Sequence, residues 1–400
     1  ERKRKLWLLL SLVVNLGFLA FFKYGSFLLD NFISVLNLVG LDFQAAAPDI
    51  ILPMGISFYT FQTMSYTIDM YYKRNEPAKT FLDFALYVTF FPQLVAGPIV
   101  RSRELIPQFY APKRATVQQF FWGTFLLTLG LFQKVILADV LLSYPADNVF
   151  GAGKIVTGLD AWAGTLAFSG QIFFDFAGYS TCAIGIALML GIILPDNFRY
   201  PYAAIGFSDL WRRWHITLSS WLRDYLYIPL GGNRRGAART YVNLMLTMLL
   251  GGLWHGAAWT FVLWGGLHGI YLMIERYLRQ RLTITINAWN GILLALLTYT
   301  CVNITWVFFR AREFNTAIDM LGSMFGLHQE GSKVLPWLDI YIVFSVITVL
   351  FITHWFMRDT SVKAVASKTP WWLLGVIWAI MIFFLVISQS SGEQFIYFQF

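Results

Sequence analysis

The sequence predicts an all-α polytopic membrane protein. Of its 400 residues, 57% are hydrophobic and only 13% are charged, too few to cover a water-exposed surface. Apolar runs of about 20 residues, the length that crosses a bilayer, recur along the chain. The formal charge of +8 comes from basic residues in loops between these runs, which fits cytoplasmic loops beside anionic lipid. A lipid bilayer is therefore the expected environment, and nucleic-acid binding is not expected.

The apolar segments alternate across the membrane by the positive-inside rule. Segment 6–29 follows the basic residues 2–5, so the N-terminus of this chain is predicted to be cytoplasmic. Segment 81–100 has basic residues on both sides and contains Pro92 and Pro98, so we predict a re-entrant segment with irregular backbone. The remaining predicted crossings are residues 50–68, 120–142, 161–194, 292–309, 338–356 and 371–388.

Residues 240–274 contain no Asp, Glu, Lys or Arg. Both flanks are basic, and residues 241–274 are too short for two comfortable crossings. Several glycines favour close helix packing, so we predict a tight hairpin with His255 near its turn. An imidazole exchanges protons near neutral pH, and ionisable groups at membrane depth usually serve a function. His255 is therefore a candidate catalytic residue, the alternative being a hydrogen bond that only helps packing.

A second histidine lies in the basic stretch 195–240, which is predicted to be cytoplasmic. Residues 210–226 show helical periodicity, with His215 at the edge of the apolar face. The apolar face includes Trp211 and Trp214, and the polar face includes Arg212, Arg213, Arg223 and Asp224. Two interpretations remain open: a helix lying at the membrane interface, or the floor of a reaction cavity.

Asp175 is the only charged residue between positions 161 and 194. A carboxylate in lipid must pair, protonate or line water, so we expect a basic partner for Asp175, in a structural or tunnel-lining role. The chain has no phosphate-binding loop, nucleophile elbow or cluster of metal-ligating residues. Neither a metal nor a bound cofactor is predicted.

Four sequence blocks resemble the membrane-bound O-acyltransferases, in particular their bacterial alginate O-acetyltransferase branch. The blocks are residues 52–59, 91–98, 211–235 and 250–256, in the expected order. The resemblance implies a single acyltransferase domain over residues 1–400, built as a ring of about 9–11 transmembrane and re-entrant helices around a central tunnel. In that family the histidine matching His255 is essential, and the one matching His215 is a common second. Relatives usually carry further helices before this chain begins, and alginate-branch members tend to have aspartate where Thr181 stands.

The resemblance also implies a reaction. An acetyl group would pass from cytoplasmic acetyl-CoA across the cytoplasmic (inner) membrane to an exported polysaccharide such as alginate, with a periplasmic acetyltransferase of the SGNH type as partner. Basic residues expected to attract the phosphates of the donor are Arg212, Arg213, Arg223, Arg234 and Arg235. Side chains expected to line the tunnel are Trp254, Asp175, Tyr179, Trp211, Trp214, Arg223 and Asp224.

The aromatic C-terminal tail, residues 389–400, is predicted to lie outside the cell. It is similar to the tail of a small companion protein in teichoic-acid D-alanylation, in which a tyrosine is thought to accept the acyl group. Tyr397 is therefore a candidate acyl acceptor, or else an aromatic membrane anchor. The alternative functions are transfer of another acyl group, such as D-alanyl, from a carrier protein, and a non-catalytic acyl transporter or scaffold.

Overall fold

The computed structural model describes residues 1–46, 51–111, 114–282 and 285–388. Within these ranges the protein is helical, and no strand occurs beyond an isolated bridge between Val156 and Ser332. The α-helices in chain order are α1 (Arg2–Leu38), α2 (Ile56–Tyr71), α3 (Phe81–Thr89), α4 (Ser102–Phe109), α5 (Val117–Leu131), α6 (Tyr144–Phe150), α7 (Gly158–Met189), α8 (Phe207–Arg213), α9 (Ile216–Leu222), α10 (Ala237–His255), α11 (Trp259–Arg281), α12 (Ala288–Arg310), α13 (Phe314–Met324), α14 (Trp337–Met357), α15 (Val362–Ala366) and α16 (Trp371–Ile387). The all-α prediction is confirmed.

Five described segments are long and apolar enough to cross a membrane, which supports the multi-pass architecture. They are Arg2–Leu38, Val117–Phe150, Gly158–Met189, Ala288–Arg310 and Trp337–Met357. The second joins α5 to α6 through a π-helical stretch, Phe132–Ser143. The first extends beyond the predicted residues 6–29, because a helix continues past its apolar part as long as its flanks remain helix-compatible.

The predicted interruption of segment 81–100 is confirmed. Helix α3 ends at Thr89, and an irregular stretch containing Pro92 and Pro98 leads to α4. Two buried side chains hold this stretch: the Tyr87 hydroxyl donates to the Val100 carbonyl at 2.9 Å, and the Gln93 amide donates to the Tyr87 carbonyl at 3.0 Å. Its re-entry into the membrane stays a prediction.

Helices α5 and α7 pack with their backbones nearly in contact. A Cβ added to Gly130 would lie 2.5 Å from the Gly178 carbonyl oxygen, and one added to Gly185 would lie 2.6 Å from that of Gly123. In the π-helical stretch that continues α5, Lys134 contacts Asp175 of α7 at 2.6 Å and Asp139 at 2.8 Å. Lys134 is therefore the basic partner expected for Asp175.

The predicted hairpin of residues 241–274 is also confirmed, formed by α10 and α11. A Cβ on Gly252 would lie 2.2 Å from the Phe261 carbonyl oxygen, and one on Gly265 would lie 2.2 Å from that of Met248. His255 is the last residue of α10, directly at the turn. Glycine at these crossings lets the two helices meet closely enough to fix the turn.

The prediction of one continuous helix over residues 210–226 is wrong. The helix breaks after Arg213, and α9 starts at Ile216, because the backbone between them pairs with an extended neighbouring segment: Arg199 N–H donates to the Arg213 carbonyl at 2.8 Å, and Ile216 N–H donates to the Asn197 carbonyl at 2.9 Å. His215 at the break has a positive φ of 41° and is fully buried, not at an interface.

Candidate active site

His255 is buried at the α10–α11 turn among the aromatic side chains of Trp254, Trp264 and Phe309, which we call the His255 surround. Its ring lies 5.1 Å from Trp254, 5.1 Å from Trp264 and 5.3 Å from Phe309, each in edge-on geometry. These partners come from α10, α11 and α12, so three helices define the position of the imidazole. A titratable ring enclosed by aromatic side chains is shielded from bulk water, which suits chemistry that water would spoil.

His215 is held at the break between α8 and α9 by one amide. Its Nδ1 lies 3.0 Å from Oδ1 of Asn197, which also accepts from the Thr217 hydroxyl at 2.9 Å. The orientation of this amide is assigned by its partners, since Asn197 Nδ2 donates to the Ser180 hydroxyl at 3.1 Å. Oδ1 can only accept, so Nδ1 of His215 is the donor, and Nε2 of the neutral ring carries the free lone pair.

Backbone strain accompanies this placement of His215. A non-glycine residue at a positive φ costs about 1–3 kcal/mol and is retained where the surroundings enforce it. The ring packs edge-on against Phe176 at 4.6 Å and is parallel to Phe58 at 6.3 Å. Within the described ranges Nε2 of His215 has no hydrogen-bond partner, so a buried acceptor remains available.

Trp254 brings the two histidines into one site. Its ring lies 5.1 Å from His255 and 6.2 Å from His215. The indole N–H groups of Trp254 and Trp264 are buried and have no hydrogen-bond partner in the part of the chain that the structure describes. Because buried polar groups are nearly always paired, these two donors and the His215 acceptor are candidate contacts for a polar ligand.

Two more predicted tryptophans flank this site. Trp211 lies 5.9 Å from Trp264 and 5.1 Å from His268, so it adjoins the His255 surround. Trp214 instead packs against Phe198 at 5.2 Å and Trp306 at 5.2 Å. Tyr179 packs on the cluster that contains Trp254 and Phe58.

The predicted carboxylates Asp175 and Asp224 each contact a basic side chain. Asp175 faces Lys134, while its neighbour Phe176 is the residue that touches His215. Asp224 pairs with Arg223 at 2.8 Å and lies 3.6 Å from the buried guanidinium of Arg101. Both carboxylates therefore have basic partners.

The predicted arginines fall into different environments. Arg213 is buried and bonded, since its Nε donates to Asp209 at 2.9 Å and another guanidinium nitrogen donates to the Arg358 carbonyl at 2.7 Å. Arg223 has 63% of its side chain exposed, and Arg234 and Arg235 lie exposed in the loop before α10. Arg212 lines an open cleft.

That cleft lies between α8 and the last turns of α11 and has a volume of about 380 Å³. We call it the arginine cleft after Arg212, Arg276 and Arg279, which line it together with Ser208, Tyr227 and Gln280. Arg279 is paired with Glu275 at 2.7 Å, whereas Arg212 and Arg276 form no ion pair within the described residues. The cleft therefore presents two guanidinium groups without an ion pair among the described residues, and the carboxylate of Asp209, which also lines it, pairs with Arg213 and Arg358.

Sequence reasoning missed Lys23, Asn197 and Arg276. Lys23 on α1 donates to the His255 carbonyl at 2.9 Å. A lone lysine in an apolar span was a signal that could have been followed. Asn197 and Arg276 gave no such signal, because each is an ordinary polar residue in a polar stretch.

Comparison with known proteins places this site in a family context. The model of the MBOAT, membrane-bound O-acyltransferase family matches residues 72–306, which contain both histidines. A probable alginate O-acetylase of Pseudomonas putida is 39% identical over 98% of this chain and 84% of its own length. A peptidoglycan O-acetyltransferase of Helicobacter pylori is 36% identical over 99% of this chain and 83% of its own length. A teichoic acid D-alanyltransferase of Bacillus subtilis is 28% identical over 66% of this chain and 69% of its own length.

Proposed function

This chain belongs to the membrane-bound O-acyltransferase family, and we propose that it moves acetyl from cytoplasmic acetyl-CoA to a hydroxyl of an exported polysaccharide. The family assignment favours an enzyme over a transporter or scaffold. Two relatives with high coverage are named for O-acetyl transfer, one on alginate and one on peptidoglycan, which supports acetyl as the acyl group. The observation that carries the proposal is the pairing of His255 and His215 around Trp254 inside a buried site.

His255 is proposed as the general base. The acceptor oxygen attacks the thioester carbonyl carbon while His255 takes the hydroxyl proton, and collapse of the tetrahedral intermediate breaks the C–S bond. The proton held by His255 then passes to the departing thiolate, so the reaction is balanced without another reactant. The site is buried among Trp254, Trp264 and Phe309, which limits hydrolysis of the thioester by water.

His215 and the two indoles have complementary roles in this proposal. The Nε2 lone pair of His215 accepts a hydrogen bond from the acceptor hydroxyl or from an amide of the donor arm. The N–H groups of Trp254 and Trp264 are available to stabilise the developing oxyanion. Such donors are most effective in a water-excluded site, because the local dielectric is low.

The arginine cleft is the proposed binding site for the phosphates of the donor. Guanidinium groups recognise phosphate through paired hydrogen bonds, and Arg212 and Arg276 form no ion pair among the described residues. Arg276 lies twelve positions after Trp264 on α11, which corresponds to about 18 Å along the helix axis. A phosphopantetheine arm can extend over such a distance, so a donor held in the cleft reaches the His255 surround.

The proposed orientation places the protein in the cytoplasmic (inner) membrane with the N-terminus of this chain and the arginine cleft on the cytoplasmic side. The C-terminal tail lies outside, where a periplasmic acetyltransferase receives the acetyl group for delivery to the polymer. A cysteine introduced at Arg234 should then react only with reagents that reach the cytoplasm. Labelling of this cysteine by a reagent that does not cross the membrane would contradict the proposed orientation.

Tyr397 belongs to this outer part of the proposal and lies outside the described residues. Tyrosine has a pKa near 10, so phenolate is a better leaving group than the alkoxide of a serine ester. Acetyl-Tyr397 is therefore reactive enough to pass its acetyl group onward. Tyr397→Phe keeps an aromatic anchor and removes only the hydroxyl. Full acetylation of the exported polymer by this variant would make Tyr397 an anchor.

The test uses protein purified in nanodiscs with isotope-labelled acetyl-CoA. Wild type should release CoA in the presence of a soluble polysaccharide fragment, and Arg276→Gln should raise KM for acetyl-CoA about tenfold with little change in kcat. Arg281→Gln is the matched control, because Arg281 is on the same helix and is not part of the cleft. Acetyl-pantetheine, which has no phosphate, should not distinguish Arg276→Gln from wild type.

The second candidate is D-alanyl transfer from a carrier protein, which the relative from Bacillus subtilis favours. Such a carrier holds its acyl group on the same phosphopantetheine arm. CoA release from acetyl-CoA that depends on His255 supports the acetyl reaction. Turnover only with a D-alanyl carrier protein would replace acetyl-CoA as the donor and leave the site assignment in place.

A further inference from the structure

Lys23 is a charged residue inside the first membrane-spanning segment. It is the only Asp, Glu, Lys or Arg in residues 6–29, and helix α1 is otherwise mostly exposed, with Leu19 its one buried residue within the described chain. An ammonium group at this depth is costly unless it has specific partners. The groups that Lys23 contacts therefore indicate its role.

All three hydrogens of the Lys23 ammonium group are accounted for. Nζ donates to the Trp254 carbonyl at 2.8 Å, to the His255 carbonyl at 2.9 Å and to the Ser57 hydroxyl at 3.3 Å. The hydroxyl of the next residue, Tyr24, donates to the Leu253 carbonyl at 2.8 Å. Helix α1 thus satisfies the last three carbonyls of α10.

These bonds replace a cap that α10 does not make for itself. The last carbonyls of a helix have no partner within the helix and carry its negative dipole end. Many helices end with a left-handed residue that closes these bonds, but Gly256 is extended, with φ −158° and ψ 153°. A cation at the helix C-terminus is favourable, and here it comes from a different helix.

We propose that Lys23 is a positioning residue for His255: it caps the C-terminus of α10 and so fixes the backbone that carries the catalytic imidazole. This inference rests on the proposed role of His255. Because an ammonium has only three donors and all are used within the protein, Lys23 has none left for substrate. Its effect is on geometry, and a displacement of about 1 Å in an active site costs on the order of 100-fold in rate.

The test separates capping from simple attachment of α1. Lys23→Met removes the charge and the donors and keeps a long side chain, while Lys23→Arg restores charged donors. Asn15→Ala is the matched control, because Asn15 accepts a hydrogen bond from Thr63 of α2 at 2.6 Å and makes no hydrogen bond to α10 among the described residues. Each variant is reconstituted in nanodiscs and examined by hydrogen exchange with mass spectrometry and by acetyl-CoA turnover.

Lys23→Met should speed amide exchange in the peptide covering residues 253–260 and lower kcat about 10- to 100-fold, with KM for acetyl-CoA unchanged within about twofold. Lys23→Arg should recover most of both effects. Asn15→Ala should leave exchange at the turn and kcat close to wild type. Unchanged exchange at the turn in Lys23→Met, or an equal increase in Asn15→Ala, overturns the proposal.

The outcomes also distinguish this inference from the proposed function. If His255→Ala is inactive and Lys23→Met turns over at the wild-type rate, the positioning role fails and the role of His255 stands. If His255→Ala is as active as wild type, the proposed base is wrong, while the exchange data still show whether Lys23 orders the turn.

Discussion

Two helix pairs in this molecule are packed through glycine, and they use their buried polar groups differently. Beside the α5–α7 pair, Lys134 of the π-helical stretch lies between Asp139 of the same stretch and Asp175 of α7, and we call these three residues the α5–α7 group. In the α10–α11 pair, the polar groups at the turn are a histidine and the indole N–H groups of Trp254 and Trp264, and these indoles have no partner within the described chain. Both helix pairs are closely packed, but they differ in whether their buried polar groups have partners within the described chain.

The comparison separates a buried polar group that stabilises helix packing from one that positions a residue proposed for catalysis. Lys134 is paired with two carboxylates, so we interpret the α5–α7 group as a contact that stabilises the helix packing. At the α10–α11 turn, Lys23 and Tyr24 of α1 donate hydrogen bonds to backbone carbonyls at the end of α10. The His255 ring itself packs against Trp264. The second arrangement suits the proposed general base, because contacts to the backbone fix the end of the helix that carries it.

The largest expected effect on acyl transfer comes from His255→Ala. Loss of the proposed general base should lower kcat at least about 100-fold, while folding and membrane insertion stay intact because the change only shortens a side chain. The rate of CoA release from labelled acetyl-CoA measures this. His328→Ala, in the loop after α13, is the control and should keep the wild-type rate. A normal rate in His255→Ala would remove the distinction between the two helix pairs.

The next effect tests the close packing of the hairpin. In Gly252→Ala the new methyl group would lie 2.2 Å from the Phe261 carbonyl, so α10 and α11 must separate and the turn must shift. We expect most of the activity to be lost together with a lower Tm. Gly266→Ala is the matched change on the same hairpin and should be tolerated, since its nearest neighbour is a Leu249 methyl at 3.4 Å. Equal behaviour of the two variants would contradict the packing argument.

A smaller effect is expected for the second histidine. His215→Asn suits the positive φ, which asparagine tolerates, and it removes the Nε2 acceptor. Transfer should fall about tenfold with little loss of stability, because the aromatic partners remain. Thermal unfolding and turnover measured on the same preparation separate these two quantities. A large fall in Tm with an unchanged rate per folded molecule would make His215 a purely structural residue.

The smallest effect on rate is expected for Lys134→Met. Removing one partner of a buried ionic group costs about 3–5 kcal/mol of stability, because the remaining carboxylates lose their counter-charge. The rate per folded molecule should change less than about twofold. Denaturation in detergent reports the first quantity and turnover the second. A variant as stable as wild type but inactive would place the α5–α7 group in the chemistry.

The sequence was sufficient for those features that depend on local composition. The absence of charge over residues 240–274 and the glycines within it predicted the hairpin and the position of His255 at its turn. The prolines after α3 predicted its interruption. The need of Asp175 for a base was also clear, although the choice of Lys134 depends on how α5 and α7 pack.

Features that depend on distant pairing could not be predicted in this way. The periodicity of residues 210–226 fits one helix, and the break at His215 arises because backbone from residues 197–199 pairs across it. The role of Lys23 requires two facts at once, the exact end of α10 and the position of α1 beside it. The arginine cleft likewise joins α8 to the far end of α11.

The central claim is that acyl transfer takes place at the α10–α11 turn. The most direct test is an electron cryo-microscopy structure of His255→Ala with acetyl-CoA, since we expect this variant to bind the donor without consuming it. We predict the acetyl group beside Trp254 and Trp264, with the phosphates in the arginine cleft. An acetyl group bound elsewhere, for example in the cavity of about 390 Å³ lined by Lys154 and Asp319, would contradict the account.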